Sequence, residues 1–268
     1  MPQPSRLFDS ARIARYRARA KTQAGAHAFL HRRALDDMLS RLQGINRPFR
    51  KGLLVSPFAM PAQDLPGFVE PVPALPRLAP QSLDLVISLL HLHTDNDLPG
   101  QLRAIRQALR PDGLFLGALF GDRTLHELRR ALLEAESAMT GGAQARVIPF
   151  ADLRALGGLM QAAGFALPVV DADRVTVRYG SLLALMHDLR GMGESNPLAG
   201  PLRPLRRDVL AQAQALYGAR HGDDQGRLKA SFDIVHLIGW APHESQPKPL
   251  QPGSAQVSLK QVLGRKRG

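Results

Sequence analysis

The pattern of hydrophobic and polar positions is most informative between residues 82 and 120. An apolar run with one acid over Leu83–Leu90 predicts a strand that is buried on both faces. Apolar positions then recur at helical spacing, which predicts a helix over Asp97–Leu109. Arg110–Gly113 reads as a turn in which glycine supplies a positive φ, and Leu114–Phe120 is a second buried strand. Strand, helix, turn and strand form a βαβ unit, which indicates a parallel α/β sheet.

The remaining periodic segments predict a helical N-terminus and a sheet that continues after the βαβ unit. Strands are expected over Phe49–Ser56, Phe165–Val170, Val175–Tyr179 and Ala230–Trp240. Helices are expected over residues 11–42 with a break near Gly25, and over 123–137, 149–163, 181–190 and 205–217. The chain is therefore divided into an N-terminal helical segment (1–47), an α/β domain (48–253) with a helical insertion or lid (181–225), and a basic flexible tail (254–268).

Seven prolines between Pro57 and Pro80 change the character of the chain. A helix cannot continue through closely spaced prolines, because each interior proline costs about 3 kcal/mol. This segment is therefore expected to be irregular, with at most a short edge strand near Phe68 and Val69. A βαβ unit takes about 30 residues, and fewer than that lie between Pro57 and Leu83. The sheet is expected to be truncated on this side.

The chain has 268 residues, a formal net charge of +12 and no cysteine. The lack of cysteine excludes disulfides, thiolate metal sites and cysteine nucleophiles. No apolar run is long enough for a transmembrane helix, and no signal-peptide pattern is present, so a cytoplasmic location is expected. The basic charge permits nucleic-acid binding, but no RNA-binding aromatic pattern or zinc finger accompanies it. A solvated basic surface is the preferred interpretation.

Two histidines, His91 and His93, follow the first strand of the βαβ unit. Their spacing, with Asp95 and Asp97 nearby, is compatible with a metal site, but no further ligand stands out and we predict no metal. Capping of the next helix by Asp95, Asn96 or Asp97 is the alternative role for the acidic stretch. His93 is a candidate catalytic residue, because the loops after buried strands meet the ligand in such sheets.

A polar loop with two glycines, Gly191–Asn196, follows a predicted helix. Glu194, Ser195 and Asn196 would be presented over the carboxyl edge of the sheet, where open α/β sheets bind ligands. The alternative is that the loop only terminates the helix. With Arg190, these side chains are candidate contacts to a substrate or partner, and Glu194 is also a candidate catalytic residue.

A second polar block, His243–Gln246, follows the last predicted strand. His243 and Glu244 are candidate catalytic residues, although neighbours on an extended chain point to opposite faces. His243, Ser245 and Gln246 are candidate contacts to a substrate or partner. The alternative is that this block docks the tail against the domain.

Several blocks of the sequence resemble a known family. Leu109–Leu114 (Leu-Arg-Pro-Asp-Gly-Leu) and the strand before it resemble class I S-adenosylmethionine-dependent methyltransferases. Asn96–Pro99, Arg190–Asn196 and Trp240–Pro249 resemble one subgroup, the methyltransferase-like assembly factors of respiratory complex I and their alphaproteobacterial relatives. This subgroup is related to the malonyl-carrier-protein methyltransferases, and its mitochondrial member is an arginine hydroxylase that acts on a complex I subunit. The likeness covers roughly residues 6–255.

The resemblance implies a Rossmann-like α/β sheet with added C-terminal helices, and S-adenosylmethionine as cofactor. The family has a glycine-rich loop after its first strand and a carboxylate after its second, which holds the ribose. Here Ser56 leads into Pro57–Pro61, which has no glycine and includes the bulky Phe58 and Met60. The cofactor site is therefore expected to be degenerate. If the cofactor binds, its candidate contacts are Ser56, Ser88, Leu89 and His91.

Three functional hypotheses follow from these observations. The first is a methyltransferase-fold protein with impaired cofactor binding that acts through a protein partner, for which the resemblance suggests a complex I subunit. The second is an active S-adenosylmethionine-dependent methyltransferase or hydroxylase that acts on a protein or carrier-protein substrate. The third is a basic nucleic-acid-binding module. The surviving subgroup blocks beside the altered cofactor loop favour the first hypothesis.

Overall fold

The computed structural model describes residues 6–22, 24–58 and 64–247. These residues form an α/β fold with one mixed sheet. The strands are β1 (Gly52–Val55), β2 (Val69–Val72), β3 (Leu83–Leu89), β4 (Leu109–Phe120), β5 (Ala166–Tyr179) and β6 (Leu228–Trp240). The helices are α1 (Ser10–Lys21), α2 (Ala24–His27), α3 (Phe29–Gln43), α4 (Leu98–Ala108), α5 (His126–Thr140), α6 (Leu153–Ala162), α7 (Leu182–Gly191) and α8 (Arg207–His221).

The strands lie in the order β2-β1-β3-β4-β6-β5. The first four run parallel, whereas β6 is antiparallel to both of its neighbours. The predicted βαβ unit is confirmed as β3, α4 and β4. The chain moves outward from β1 to β2 and then returns to the other side of β1, so β1 and β3 flank the point where the strand order reverses. In open α/β sheets, ligands bind at the carboxyl ends of the strands at this point.

Both faces of the sheet are covered, as the apolar runs predicted. Leu54, Ile87 and Leu116 belong to a core that also contains side chains of α3, α5, α7 and α8. The alternate residues Val86 and Phe115 belong to a second core with side chains of α4 and α6. Helices α7 and α8 are inserted between β5 and β6, so the added helices precede the last strand instead of following the sheet.

The proline-rich segment has the irregular course that its composition predicts. Its described residues contain no α-helix, and the short edge strand expected near Phe68 and Val69 is β2. A complete sheet of this type would have two strands and their crossover helices along the chain between β1 and β3. The described residues hold one strand and no α-helix there, which confirms the truncation. Met60 lies outside the described residues, as does the tail 254–268.

Two local predictions were wrong. Arg110–Gly113, predicted as a turn, lies within β4 at an irregularity in its pairing with β3, and the left-handed residue there is Asp112 with φ 63°, not Gly113. An added Cβ at Gly113 would lie 2.9 Å from the carbonyl oxygen of Arg110, so this glycine permits close backbone approach. The two short strands predicted around Asp171 and Asp173 are one continuous strand, β5. Their carboxylates pair with Arg41 and Arg33 of α3, so polar residues that suggested a turn are accommodated within a strand.

The N-terminal helices break where the sequence predicted, near Gly25. Asp9 caps α1 by accepting hydrogen bonds from the amides of Ala11 and Arg12. The segment before α1 is tied to the α7–α8 connection, because the Asp9 amide donates to the Pro197 carbonyl at 2.8 Å. The division of the chain into three parts stays a prediction. No helix in the described part of the chain is long and apolar enough to cross a membrane.

Candidate functional site

A cavity of about 1010 Å³ opens beside the carboxyl end of β4, between α5, α7 and the segment that joins α7 to α8. Phe120, Phe150, Leu128 and Met186 give it an apolar wall. Among the described residues that line it, Glu194 is the one carboxylate. Large apolar cavities with a few polar groups are the usual form of ligand sites, and this one lies at the carboxyl edge of the parallel strands.

Two of the predicted catalytic candidates meet at the inner end of this cavity. His93 Nε2 lies 3.0 Å from Glu194 Oε2, although the two residues are 101 positions apart. The His93 side chain is 1% exposed and that of Glu194 is 14% exposed. The His93 ring contacts Phe120 and Phe150, with ring centroids 5.0 and 6.0 Å apart. The pair is therefore a buried polar contact packed against aromatic rings, and Glu194 is the member of the pair that lines the cavity.

The electrostatic surroundings keep Glu194 ionised. Burial by itself raises the pKa of this carboxyl, but the charge and hydrogen bond of His93 oppose burial, and so does the charge of Arg17. The net effect places the pKa of Glu194 below its ordinary value. A carboxylate of this kind is a weak general base, but it binds cationic or hydrogen-bond-donating groups well.

Two further histidines, His31 and His91, are buried beneath α1. Burial lowers the pKa of His31 to about 4. Burial, followed by the charge of Arg17, lowers the pKa of His91 to about 3. None of the four ring nitrogens has a hydrogen-bond partner within the described residues. Arg17 donates to the His91 carbonyl at 3.2 Å and to the Thr94 hydroxyl at 3.0 Å. Both histidines are therefore neutral at pH 7.

The acidic stretch after His93 caps the next helix. The Asp97 carboxylate accepts a hydrogen bond from the Gly100 amide at 2.9 Å, and Asp95 accepts one from the Asp97 amide at 2.7 Å. This confirms the capping role weighed against metal binding. Within residues 6–22, 24–58 and 64–247, no group of three or more histidine or carboxylate side chains could hold a metal ion.

Each glycine of the loop Gly191–Asn196 is required by the local structure. An added Cβ at Gly191 would overlap the His27 ring, so glycine is needed for α2 to lie against α7. Gly193 has φ +80°, a left-handed conformation that glycine adopts without steric cost. The turn directs Glu194 into the interior. The same turn therefore ends α7 and places Glu194 in the site, so both roles that the sequence left as alternatives apply.

The other polar residues of this loop attach it to its neighbours. The Ser195 hydroxyl accepts a hydrogen bond from Arg19 at 3.1 Å. The Asn196 amide donates to the Ala145 carbonyl at 2.8 Å. Arg190 is exposed and, with Ser195 and Asn196, lines the large cavity. The predicted contact residues of this loop are therefore gathered around one opening.

A second cleft of about 440 Å³ occupies the position expected for a cofactor. It lies at the carboxyl ends of β1, β2 and β3 and is bordered by α1. His91 is the one cofactor candidate that lines it, together with Arg17, Pro57 and Pro73. The others are buried in the sheet: Ser56, Ser88 and Leu89 are 2%, 1% and 0% exposed.

The residues after β1 and β2 differ from the cofactor-binding pattern that the resemblance implies. Phe58 is 3% exposed, and its ring lies 4.5 Å from that of His31, between the sheet and the N-terminal helices. A bulky buried ring stands where the family has a glycine-rich loop. After β2 the chain continues with Pro73 and Ala74, so no carboxylate follows this strand to hold a ribose. In the part of the chain described, the residues do not fit the usual contacts of S-adenosylmethionine.

The block His243–Gln246 lies at the other edge of the sheet. Trp240 pairs with Leu114 near the beginning of β4, whereas Phe120 at its end lines the large cavity. Leu114 and Phe120 are six positions apart, a separation on the order of 20 Å at the rise of a strand. The structure therefore does not bring His243, Glu244 or Ser245 together with Glu194.

The contacts of this second block are those of a docked chain segment. The Gln246 amide donates to Asp112 Oδ1 and to the Ala241 carbonyl, both at 2.9 Å. His243 Nδ1 lies 2.7 Å from the Ser245 hydroxyl. These contacts fit the alternative predicted from the sequence, in which this block docks the chain against the domain. Lys248 and Pro249, which carried part of the resemblance, lie outside the described residues.

Sequence reasoning missed His31, Arg17, Phe120 and Phe150. Together these four side chains surround the His93–Glu194 pair, and each comes from a different part of the fold. Phe120 ends a strand already recognised, so its position at the carboxyl edge was a usable signal. His31 lies in a helix whose buried face was predicted from apolar residues alone, and nothing local marked it.

The chain is similar in sequence to two groups of known proteins. The mitochondrial arginine-hydroxylase NDUFAF5 of Danio rerio is 46% identical over 178 residues, which cover 66% of this chain and 56% of the relative. The malonyl-[acyl-carrier protein] O-methyltransferase of Halorhodospira halophila is 34% identical over 189 residues, which cover 69% of this chain and 61% of that protein. The chain is a homologue of these proteins. No family model matches the sequence.

The homology is partial in length. The chain spans about half the length of the curated relatives it matches. Among solved structures, the YcgJ protein of Bacillus subtilis is similar in fold, with a TM-score of 0.50 and 11% identity over 79% of this chain and 99% of that one. The sheet is thus a Rossmann-like class I methyltransferase sheet, as the resemblance implied.

Replacing Glu194 should reveal how strongly its loop depends on the buried pair. Glu194→Ala removes the hydrogen-bond partner of a buried histidine, and we expect the free energy of unfolding to fall by roughly 3 kcal/mol. Glu194→Gln keeps a hydrogen-bonding group and should cost less. Urea unfolding at pH 7 measures both changes.

The matched control is Glu134→Ala, because Glu134 pairs with Arg130 and Arg220 on the surface. Exposed ion pairs contribute little to stability. Equal effects of the Glu194 and Glu134 substitutions would show that the buried pair does not hold the loop.

Proposed function

We propose that this chain is a methyltransferase-fold protein that acts through a protein partner and binds S-adenosylmethionine weakly or not at all. The observation that carries this proposal is the contrast between the two halves of the ligand edge. On the β4 side a cavity of about 1010 Å³ is open. On the β1 side, Phe58 and the irregular connection to β2 replace the loop that would hold the cofactor.

The large cavity supports a polypeptide ligand. Its wall is mostly apolar, and Glu194 offers an ionised oxygen at its inner end. An inserted side chain would gain apolar contacts along its length and a charge-assisted hydrogen bond at its tip. The sequence relatives are named arginine-hydroxylase, and an arginine side chain has this shape, with an apolar stem and a charged donor at its tip. For this chain we propose a protein partner, such as a respiratory complex I subunit, and a cytoplasmic location.

The second candidate is an active S-adenosylmethionine-dependent methyltransferase or hydroxylase. The cleft of about 440 Å³ at the strand-order reversal favours it, because that is where this fold binds cofactors. In that case His91 and Arg17 would contact the cofactor from β3 and α1. His93 and Glu194 would hold the acceptor in the neighbouring cavity.

Calorimetric titration with S-adenosylmethionine separates the two candidates. We expect no binding in the micromolar range, because the glycine loop is absent and no carboxylate follows β2. The homologous malonyl-[acyl-carrier protein] O-methyltransferase of Halorhodospira halophila, titrated under the same conditions, serves as the positive control.

A dissociation constant in the micromolar range for this chain would contradict the impaired-cofactor proposal. The binding site would then be located with Arg17→Ala, which alters the cleft of about 440 Å³, and with Met186→Trp, which fills the larger cavity. Loss of binding in the Arg17 variant alone would establish the second candidate.

A further inference from the structure

Four arginines surround the mouth of the large cavity, and we call them the arginine rim: Arg15, Arg19, Arg190 and Arg203. Arg190 and Arg203 line the cavity directly. Arg15 and Arg19 lie over the ring of Tyr16, which is also a lining residue, at 5.6 and 5.1 Å from its centroid. Two helices and a loop that are distant in sequence therefore contribute positive charge to one opening.

The rim is only weakly neutralised by neighbouring acids, because Glu136, whose charge interacts with that of Arg203, is itself ion-paired with Arg146. Most arginines that pair in this protein do so with a carboxylate on an adjacent element, as Arg41 does with Asp171. Among the described residues, none of the four rim arginines forms an ion pair with a carboxylate. The sequence contains no acid between Asp9 and Asp36, so α1 and α2 carry only positive or neutral side chains.

The charges of the rim also act on one another. The pKa of Arg19 is lowered from its ordinary value, by burial first and then by the positive charge of Arg190; Tyr16 opposes this change, and Arg15 adds a smaller lowering effect. Like charges held together without counter-ions are unfavourable in the isolated protein. A ligand that brings negative charge to this surface would relieve that repulsion.

Apolar surface lies within the same opening. Leu183 of α7 lines the cavity and is 62% exposed, which is unusually high for leucine in a folded chain. Leu202 and Leu205 line the cavity from the α7–α8 connection. Exposed apolar surface bordered by charge is typical of protein interaction sites, and arginine and tyrosine are enriched at their energetic centres.

We propose that the arginine rim binds an acidic segment of a polypeptide, and that a long side chain of this segment, with an apolar stem and a hydrogen-bonding tip, enters the cavity. This inference rests on the proposed function, because it specifies the chemistry of the protein partner. A membrane surface or a nucleic acid would supply the negative charge. Neither presents an isolated long side chain between acidic groups, so neither matches the cavity and the rim together.

The test uses fluorescence anisotropy with two labelled synthetic peptides. One carries aspartate and glutamate on both sides of a central leucine-arginine-phenylalanine sequence, and the other replaces every acid by serine or glutamine. We expect the acidic peptide to bind the full chain at least tenfold more tightly than the neutral peptide. Its affinity should fall as salt is raised, because exposed charges are screened.

Charge reversal of the rim should abolish this preference. We compare a triple rim variant with a triple control variant of the same net charge, each made by Arg→Glu substitution. The rim variant changes Arg15, Arg19 and Arg190. The control variant changes Arg77, Arg103 and Arg154, which are exposed, lie outside the cavity lining and form no ion pair within the described residues.

Only the rim variant should lose the acidic peptide, by about tenfold or more. A variant with glutamine at the same three rim positions repeats the test if charge reversal prevents folding. Equal binding of the acidic and neutral peptides would overturn the rim proposal, but the proposed function, a partner that enters the cavity, would stand. Equal loss in both triple variants, or competition by random-sequence duplex DNA at the same concentration, would also overturn it.

A variant that fills the cavity distinguishes binding by the rim charges from entry of a side chain into the cavity. Met186→Trp reduces the cavity but leaves the rim charges in place. Loss of both peptides in this variant supports entry of a side chain. Unchanged binding of the acidic peptide would show that the rim acts alone, which contradicts the coupled site.

Discussion

Stability should fall steeply as the pH is lowered from about 7 to about 4, because His31 and His91 are buried in the neutral form. In the unfolded chain both imidazoles take up a proton below about pH 6.5. In the folded chain they do so only near pH 4 and pH 3. The unfolded state therefore binds more protons between these limits, and stability that is present above pH 6.5 is lost as the pH falls.

The size of this effect follows from proton linkage. Each proton bound only by the unfolded state changes the free energy of unfolding by about 1.4 kcal/mol per pH unit. Two histidines acting over two units or more would remove several kcal/mol, which is a large fraction of the stability of an ordinary domain. The lowered pKa of Glu194 acts in the same direction, but only at lower pH, where that carboxyl becomes protonated.

Urea unfolding at a series of pH values between 7.5 and 4.5 measures the effect. The double variant with His31→Leu and His91→Leu should show a much flatter profile, because neither leucine titrates. His243→Leu is the matched control, since His243 is exposed. A flat profile in the unmodified chain, or an equally steep one in the double variant, would rule out this account.

Gly191→Ala should destabilise the junction of the N-terminal helices with α7. The added Cβ would overlap the His27 ring, and His27 is held in place because its Nδ1 lies 2.5 Å from Asp188 Oδ1. Tyr179 donates to the other oxygen of Asp188 at 2.7 Å, so the ring cannot move without disturbing two hydrogen bonds. We expect a loss of roughly 1–3 kcal/mol, as for other overpacked interiors.

The loss should depend on the presence of the His27 ring. In a His27→Ala background the same Gly191→Ala substitution should cost much less, which a double-mutant cycle measures directly. Gly158→Ala is the control, because this helical glycine has nothing within 4 Å of an added Cβ. It should stabilise the chain by about 0.5–1 kcal/mol. An equal cost of Gly191→Ala with and without His27 would refute the packing explanation.

Several parts of the candidate site could be predicted because they depend on local chemistry. The cap at Asp97 and the end of α7 at Gly191–Gly193 were readable from residue type and position. The irregular proline segment followed from the missing amide hydrogens and fixed φ of proline. His93 and Glu194 were both proposed as candidates, each from its place after a buried element.

Their pairing could not be predicted, since it depends on how two distant segments meet. Helix α7 is positioned by contacts with α1 and α2, and its last turn then directs Glu194 toward His93. The burial of His31 depends on Phe58 and on the docking of the N-terminal helices. No periodicity in the sequence reports such contacts.

By itself, the sequence determined the central βαβ unit, the truncation before it and the absence of a glycine loop after β1. These features depend on short-range sterics and on hydrophobic periodicity, which each segment carries alone. Only the tertiary structure decided that the loop at Gly191–Asn196 completes the cavity and that the block at His243–Gln246 lies at the opposite edge. The direction of β6 makes this difference, because an antiparallel last strand delivers the residues after it to the edge where the parallel strands begin.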